Sequence, residues 1–251
     1  MDLSILTAWQ FYATAIPAVL LLGISKSGFG AGLGSPAVPL MALAIPVPQA
    51  AAILMPVLLL MDVLGVAAFR RNFLLPLLKL LIPFGLLGTV IGTLLFSLLD
   101  AKAVAAVVGA FTLLFLAQRL LFPSRPDSPP PPRWLGAILT TIAGFTSFVS
   151  HTGGPPLNAY VIPLRLSPVH FTATMAAFFF AINLAKWVPY AWLGLLDMRN
   201  LATSMLLLPV APVGVWMGVG VARRIGPKVF YRVLYVGVLL SGCKMLWDGM
   251  R

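Results

Sequence analysis

The sequence contains no glutamate, only one cysteine and only two histidines, and these scarcities exclude several kinds of site. Without glutamate, two histidines and one cysteine cannot supply a plausible closed metal site, so we expect no bound metal. Cys243 has no second cysteine with which to form an internal disulfide. No Walker-type phosphate loop occurs, so we expect no ATP hydrolysis by the chain itself.

Charge is scarce as well, at 9% of 251 residues against roughly 25% in soluble domains. Hydrophobic residues make up 60% and the mean hydropathy is +1.01. Apolar runs near the ~20 residues that cross a bilayer recur along the chain, which predicts an all-α integral membrane protein of about eight to ten helical segments. The start, MDLSILTAWQFYATAIPAVLLLG, has no basic n-region and no clear cleavage site, which favours a retained helix over a signal peptide.

The charge that is present is mostly positive, with 17 Lys and Arg against six Asp and a net charge of +11. In a membrane protein such a surplus is typical of cytoplasmic loops rather than of nucleic-acid binding. We therefore expect the lipid bilayer as a partner, no nucleic acid, and a multi-pass location in the inner (cytoplasmic) membrane of the cell.

A proline-rich hydrophilic stretch, PSRPDSPPPPR at 123–133, divides the chain into two related halves, 1–122 and 134–251. LLIPFGLLGTVIG from Leu80 aligns without gaps on LLLPVAPVGVWMG from Leu206, and Asp62 falls opposite Asn183. This self-similarity predicts two structural repeats joined by a cytoplasmic linker.

Each half has the same order of segments: an apolar run, a glycine-rich break, a short run and three further runs. In the first half the runs are Leu3 to Ser25, Ala37 to Ile45, Gln49 to Phe69, Phe73 to Leu99 and Ala103 to Phe122. In the second they are Trp134 to Val149, Leu157 to Leu164, Val169 to Leu193, Leu201 to Val221 and Val229 to Trp247. The short runs cannot span a bilayer, so we predict a re-entrant hairpin in each half with its glycine-rich tip at mid-depth.

The distribution of charge favours inverted repeats. If the hairpins do not cross the membrane, the halves have opposite orientation and one side carries a net charge of +10, the other 0. A parallel arrangement would place the cluster from Arg223 to Arg232 outside, against the tendency of positive loops to stay cytoplasmic. We therefore predict that both termini lie on the outer face.

The two breaks, SKSGFGAGLGSP at 25–36 and SHTGGPP at 150–156, have the composition of an anion site. Glycine allows close approach of a ligand to the backbone, and the helix that follows each break offers free N–H groups and the positive end of its dipole. Breaks that meet near the midplane are the usual substrate site of transporters with inverted repeats. The alternative is that both are tight turns or close helix crossings.

In the run INLAKWVPY, Asn183, Lys186 and Tyr190 lie at i, i+3 and i+7, on one helix face. A lysine inside a membrane costs about 2.5 to 3.5 kcal/mol and generally faces a cavity or a partner, so Lys186 is the first candidate for an anion contact. Snorkelling to the interface and structural pairing with Asp62 are the alternatives. Asp62 and His151 are candidates for proton coupling, although Asp62 could simply neutralise a lysine and His151 could simply be a hydrogen-bonding residue. The candidate substrate-binding residues are Lys26, Ser27, Gly28, Gly34, Ser35, His151, Thr152, Gly153, Gly154, Asn183, Lys186 and Tyr190.

These motifs resemble those of the TauE/SafE-type permeases, a family named for sulfite or organosulfonate exporters. The resemblance rests on GFGAGLGSPAVPL, SFVSHTGGPPLNAYVIPL and FFFAINLAKWVPYAWLGLLD, and on the late GxxxG segments before RRIGPK. Family members typically have three consecutive glycines in the breaks, whereas this chain has Gly32-Leu33-Gly34-Ser35 and Gly153-Gly154-Pro155. The resemblance implies export of sulfite or a sulfonate without a bound cofactor.

The residues therefore predict a secondary transporter of a small anion, and sulfur enters only through the resemblance. A passive anion channel or a structural membrane partner is one alternative. An intramembrane transferase using His151 with Ser150 or Thr152 is another, although neighbouring residues rarely point at each other. The GxxxG spacings at Gly88/Gly92 and Gly214/Gly218 suit either a homodimer or packing between the halves.

Overall fold

The computed structural model of the chain describes residues 9–30, 40–41, 44–45, 47–95, 98, 100–121, 129–151, 153–192 and 198–250. These residues form helices and short connections, with no strand among them, which confirms the all-α class. The helices are α1 (Trp9–Phe29), α2 (Val47–Phe69), α3 (Leu75–Leu95), α4 (Ala101–Leu121), α5 (Arg133–Ser150), α6 (Gly154–Val161), α7 (Pro168–Trp192), α8 (Met198–Leu207), α9 (Val210–Arg224) and α10 (Pro227–Met250). A 3-10 turn, Ile162–Leu164, follows α6.

Five of the described helices, α1, α2, α3, α7 and α10, are long and apolar enough to cross a membrane. The pair α8 and α9 makes a sixth span if it is counted as one helix bent by 50°. Large apolar side chains point outward from these helices, among them Leu94, Val188 and Trp216 at 70% exposure or more. Such a surface suits hydrocarbon rather than water. The chain is a multi-pass membrane protein.

The helix boundaries differ from the predicted runs at both breaks. In the first half α1 continues through Lys26, Ser27 and Gly28 to Phe29, and the chain leaves the helix at Gly30, whose φ is 56°. Glycine is the usual residue for a left-handed helix end. Four residues of the predicted break, Lys26 to Phe29, are therefore helical. Most of the short run predicted at 37–45 lies outside the described residues.

In the second half α5 ends at Ser150 and the eight-residue helix α6 follows directly, as the short run predicted. At 1.5 Å per residue α6 is about 12 Å long, far less than a bilayer. Every one of its residues is buried, so it lies inside protein and not against lipid. The run predicted at Leu201–Val221 is divided, because the helix bends between Leu207 and Val210.

Glycines bring four of the helices into backbone contact. A Cβ at Gly88 of α3 would overlap the carbonyl oxygen of Thr141 in α5, and one at Gly214 of α9 would meet the carbonyl oxygen of Leu20 in α1 at 2.9 Å. Gly92 and Gly218 continue the same two interfaces, against Phe148 and Gly28. Both GxxxG motifs are therefore used for packing within the chain.

The apolar core forms two main clusters. One surrounds Phe178 and Phe230 and draws mainly on α3, α5, α6, α7 and α10, with Phe29 of α1 and Leu116 of α4. The other surrounds Leu54 and Met61 and draws on α1, α2, α8 and α9. The candidate residues on α1 and α2 thus belong to the second group of helices, and those on α5 and α7 belong to the first.

Candidate functional site

The polar face of α7 is directed into the protein. Asn183, Lys186 and Tyr190 are buried, whereas Leu184 and Val188 on the opposite face are 50% and 77% exposed. The spacing of i, i+3 and i+7 therefore has the predicted result, one inward polar stripe on an otherwise apolar helix. Lys186 has no exposed surface at all, so the snorkelling alternative is wrong.

Three acceptors surround the ammonium group of Lys186. Its Nζ donates to the carbonyl oxygen of Ser147 at 2.6 Å, to the Oγ of Ser147 at 2.7 Å and to the Oδ1 of Asn183 at 3.1 Å. A lysine ammonium has three hydrogens to donate. In this conformation its hydrogen-bonding capacity is therefore filled by α5 and by the preceding turn of α7.

Asp62 of α2 connects this lysine to a second one. The Nδ2 of Asn183 donates to the Oδ2 of Asp62 at 2.6 Å, and the Nζ of Lys26 lies 2.5 Å from the Oδ1 of Asp62. Asn183 thus accepts from Lys186 and donates to Asp62, which fixes the orientation of its amide. Asp62 pairs directly with Lys26, so direct pairing between Asp62 and Lys186 is not what the structure has.

We name this chain of side chains, Lys26, Asp62, Asn183, Lys186 and Ser147, the lysine network. All five are buried, with Lys26 the most exposed at 7%. The network contains two cationic side chains and one anionic one, and no other Lys, Arg or Asp is buried in the described part of the chain. With both lysines protonated and Asp62 ionised, its formal net charge is +1 in a region of low dielectric.

Ser27 and Gly28, the described neighbours of Lys26 in the first break, lie beside the network. Ser27 is buried, and its Oγ would lie 3.7 Å from a Cβ added at Gly65 of α2. The carbonyl oxygen of Gly28 accepts a hydrogen bond from Thr172 of α7 at 3.3 Å. Lys26 sits on the last turn of α1 and is buried.

The second break adjoins the other end of the network through Tyr190. Its hydroxyl donates to the carbonyl oxygen of Phe148 at 3.0 Å and lies 3.3 Å from the Nε2 of His151. His151 has a φ of 55°, an uncommon conformation for a residue with a side chain. Lys186 and Tyr190 together therefore hold the last carbonyl groups of α5, where the helix stops.

Backbone crowding explains the glycine at Gly153. A Cβ there would lie 2.5 Å from the carbonyl oxygen of Ala143 and 2.7 Å from the Cβ of Ser147. The start of α6 offers fewer donors than predicted, because Pro155 and Pro156 have no N–H. Among Gly154, Pro155 and Pro156, only Gly154 has an N–H group that could bind an anion.

A family model described as "Sulfite exporter TauE/SafE" matches residues 15–245 of this chain. The match includes both breaks and every member of the lysine network. The chain belongs to the TauE/SafE sulfite exporter family. Members of this family are transporters rather than enzymes. No curated protein and no solved structure matches the chain.

Three predicted members of the site in this TauE/SafE chain, Gly34, Ser35 and Thr152, lie outside the described residues. The described ones lie on α1 and α7, at the start of α6 and, for His151 and Gly153, between α5 and α6. Within the described residues there is no group of three or more His, Cys or Asp side chains that would hold a metal.

Two polar residues of the region were missed by the sequence reasoning. Ser147 is the main partner of Lys186, and Asn158 of α6 is buried with neither amide atom hydrogen-bonded among the described residues. A signal for Ser147 existed, because it follows Lys26 by 121 residues, the same spacing that separates Asp62 from Asn183. No comparable signal marks Asn158.

Proposed function

We propose that the protein is a secondary transporter that carries a small sulfur-containing anion, sulfite or an organosulfonate, out across the cytoplasmic membrane. The observation that carries this proposal is the unbalanced charge of the lysine network. In proteins, burying an ion without a counter-ion costs on the order of several kcal/mol. An anion that enters the site would supply the missing charge.

Membership of the TauE/SafE family supports sulfur as the chemistry of the anion and export as the direction. The geometry supports only that the substrate is an anion, and it indicates neither sulfur nor the direction of transport. Lys186 can receive an anion only by giving up one of its three present acceptors, so binding at Lys186 and the contact with Ser147 compete. That competition would link substrate binding to movement of the end of α5.

We infer that transport proceeds by alternating access between two inverted repeats, residues 1–122 and 134–251. The cytoplasmic segment 123–133 links them. Two helix contacts between the halves support this assignment. Helix α1 of the first half packs on α9 of the second, and α5 of the second half packs on α3 of the first. Asp62 and Asn183, at equivalent positions, are hydrogen-bonded to each other, as expected near an axis that relates the halves.

The basic residues support the same orientation. Arg223 at the end of α9 donates to the carbonyl oxygen of Ala68 at the end of α2, at 2.9 Å. Tyr231 near the start of α10 donates to the carbonyl oxygen of Leu166 at 2.7 Å. These contacts gather Arg70, Arg71, Arg165 and Arg223 at one end of the molecule, the end that we assign to the cytoplasm.

Proton coupling, if transport uses it, is assigned to His151 in preference to Asp62. Asp62 is held by an ion pair and a hydrogen bond, so protonation would remove the negative charge that pairs with Lys26. The ring of His151 contacts the hydroxyl of Tyr190, a group that can accept or donate.

Counterflow in proteoliposomes tests the proposal. Vesicles containing purified protein are loaded with unlabelled sulfite, and uptake of external radiolabelled sulfite is followed with sulfonates and chloride as competitors. A carrier gives a transient, saturable accumulation of label that empty vesicles lack. Non-saturable flux without counterflow would indicate a channel, and no flux of any sulfur anion would refute the proposed substrate.

A further inference from the structure

The charge of the lysine network has a consequence for which anions it accepts. Lys26 and Lys186 contribute two positive charges and Asp62 one negative charge, with exposures of 7%, 0% and 1%. Asn183, at the position equivalent to Asp62, is neutral. The pair Asp62 and Asn183 therefore sets the net charge at +1 rather than 0 or +2.

We propose that the network selects a monoanion and that Asp62 excludes dianions. The inference rests on the proposed transport function and specifies the substrate class of the same site. A monoanion brings the buried region to neutrality, whereas a dianion leaves one unpaired negative charge there. Hydrogensulfite or a monosulfonate therefore fits, and the sulfite or sulfate dianion does not.

The geometry allows the charge to be altered with little change of shape. Asp and Asn are nearly isosteric, and the two side chains meet at 2.6 Å. Asp62→Asn raises the net charge to +2, and Asn183→Asp lowers it to 0. The double exchange restores +1 and places the carboxylate where Lys186 already donates to residue 183 at 3.1 Å.

Methanesulfonate and sulfate are suitable probes because they have similar size and differ by one unit of charge near neutral pH. Initial uptake of each radiolabelled anion is measured in proteoliposomes holding the wild type, each single variant or the double exchange. Thermal melting of the purified variants reports folding. We expect the wild type to prefer methanesulfonate, and Asp62→Asn to shift the ratio towards sulfate by at least about tenfold, the scale of a like-charge contact.

Asn183→Asp should slow uptake of both anions, and the double exchange should restore the preference for methanesulfonate. A folded Asp62→Asn variant with an unchanged ratio would overturn the inference, as would a wild type that prefers sulfate or a folded double exchange that behaves like Asn183→Asp. In each of these cases saturable flux leaves the carrier proposal standing. If the wild type moves no sulfur anion, the carrier proposal itself fails, and the inference fails with it.

Discussion

At the scale of residues, Lys186 is held in place by groups that a substrate would have to replace. Its three hydrogens are directed to the carbonyl oxygen of Ser147, the hydroxyl of Ser147 and the amide of Asn183. The hydroxyl can rotate away, whereas the carbonyl is fixed by the helix. We therefore expect the hydroxyl of Ser147 to be the first contact that an incoming anion displaces.

Tyr190 allows a residue-scale test with a matched control. Tyr190→Phe and Tyr231→Phe each remove one hydroxyl that donates to a backbone carbonyl. Each should lower the free energy of unfolding by about 1 kcal/mol, the typical worth of one such bond. Only Tyr190→Phe also releases His151 and the end of α5, so it alone should slow sulfite flux. Equal flux in the two variants would show that the hydroxyl of Tyr190 is not part of the site.

The sequence predicted the residues of α7 better than those of α1 and α5. Asn183, Lys186 and Tyr190 are related by helical spacing, which is a local property. Ser147 contacts Lys186 only because α5 packs near α7, and no local pattern encodes that contact. The predicted break at 25–36 included Lys26, yet the helix continues past it, and Gly28 stays helical at the close packing of α1 on Gly218.

At the scale of elements, the glycines determine how closely the helices approach. The GxxxG spacing predicted tight packing, but it could not identify the partner helix. A Cβ at Gly144 of α5 would overlap the backbone of Gly85 in α3, and Gly23 of α1 and Gly214 of α9 face each other across a second interface. Neither interface leaves room for a methyl group.

Alanine substitution separates packing from helix propensity. At Gly88 and Gly144 a Cβ would overlap a backbone carbonyl, of Thr141 and Gly85 respectively, so each substitution should destabilise the protein by about 1–3 kcal/mol, the usual cost of overpacking. Gly220 of α9 is the control, because nothing lies within 4 Å of its added Cβ. Gly220→Ala should leave the melting temperature unchanged or raise it. Equal melting temperatures for all three variants would contradict the packing account.

Two prolines at equivalent positions show what the sequence could not predict. Helix α3 runs through Pro83 without a break, whereas the chain bends by 50° at the break that contains Pro209. The two sides of that bend have different partners. Ser204 ties α8 to the carbonyl oxygen of Ile53 in α2, while α9 packs on α1. The bend therefore depends on tertiary contacts that alignment of the halves does not show.

At the scale of the whole molecule, the proposed inverted orientation makes a prediction about sidedness. In a Cys243→Ser background, single cysteines are introduced by Arg71→Cys, Arg224→Cys, Lys102→Cys and Lys244→Cys, all at exposed positions. An impermeant maleimide should reach the first two from the cytoplasmic side and the last two from outside. Labelling of Arg71→Cys and Arg224→Cys from opposite sides would contradict the inverted arrangement.

The packing of helices from each half on helices of the other also explains why the site lies between the halves. Each half contributes one helix that ends at a break, α1 or α5, and one helix with the central polar residue, α2 or α7. The hydrogen bond between Asp62 and Asn183 joins these two sets. Composition and repeats predicted the class of protein and the two breaks, but which lysine meets which acid required the packed structure.

The central claim is that the buried positive charge of the lysine network binds the transported anion. The most direct test is sulfite counterflow in proteoliposomes holding Lys186→Met, with Lys79→Met as a matched control at an exposed lysine of α3. Thermal melting shows that each variant is folded. The account predicts that Lys186→Met lowers the flux at least about tenfold, the scale of a lost charge contact. Lys79→Met should keep the wild-type flux. A folded Lys186→Met variant with wild-type flux would contradict the account.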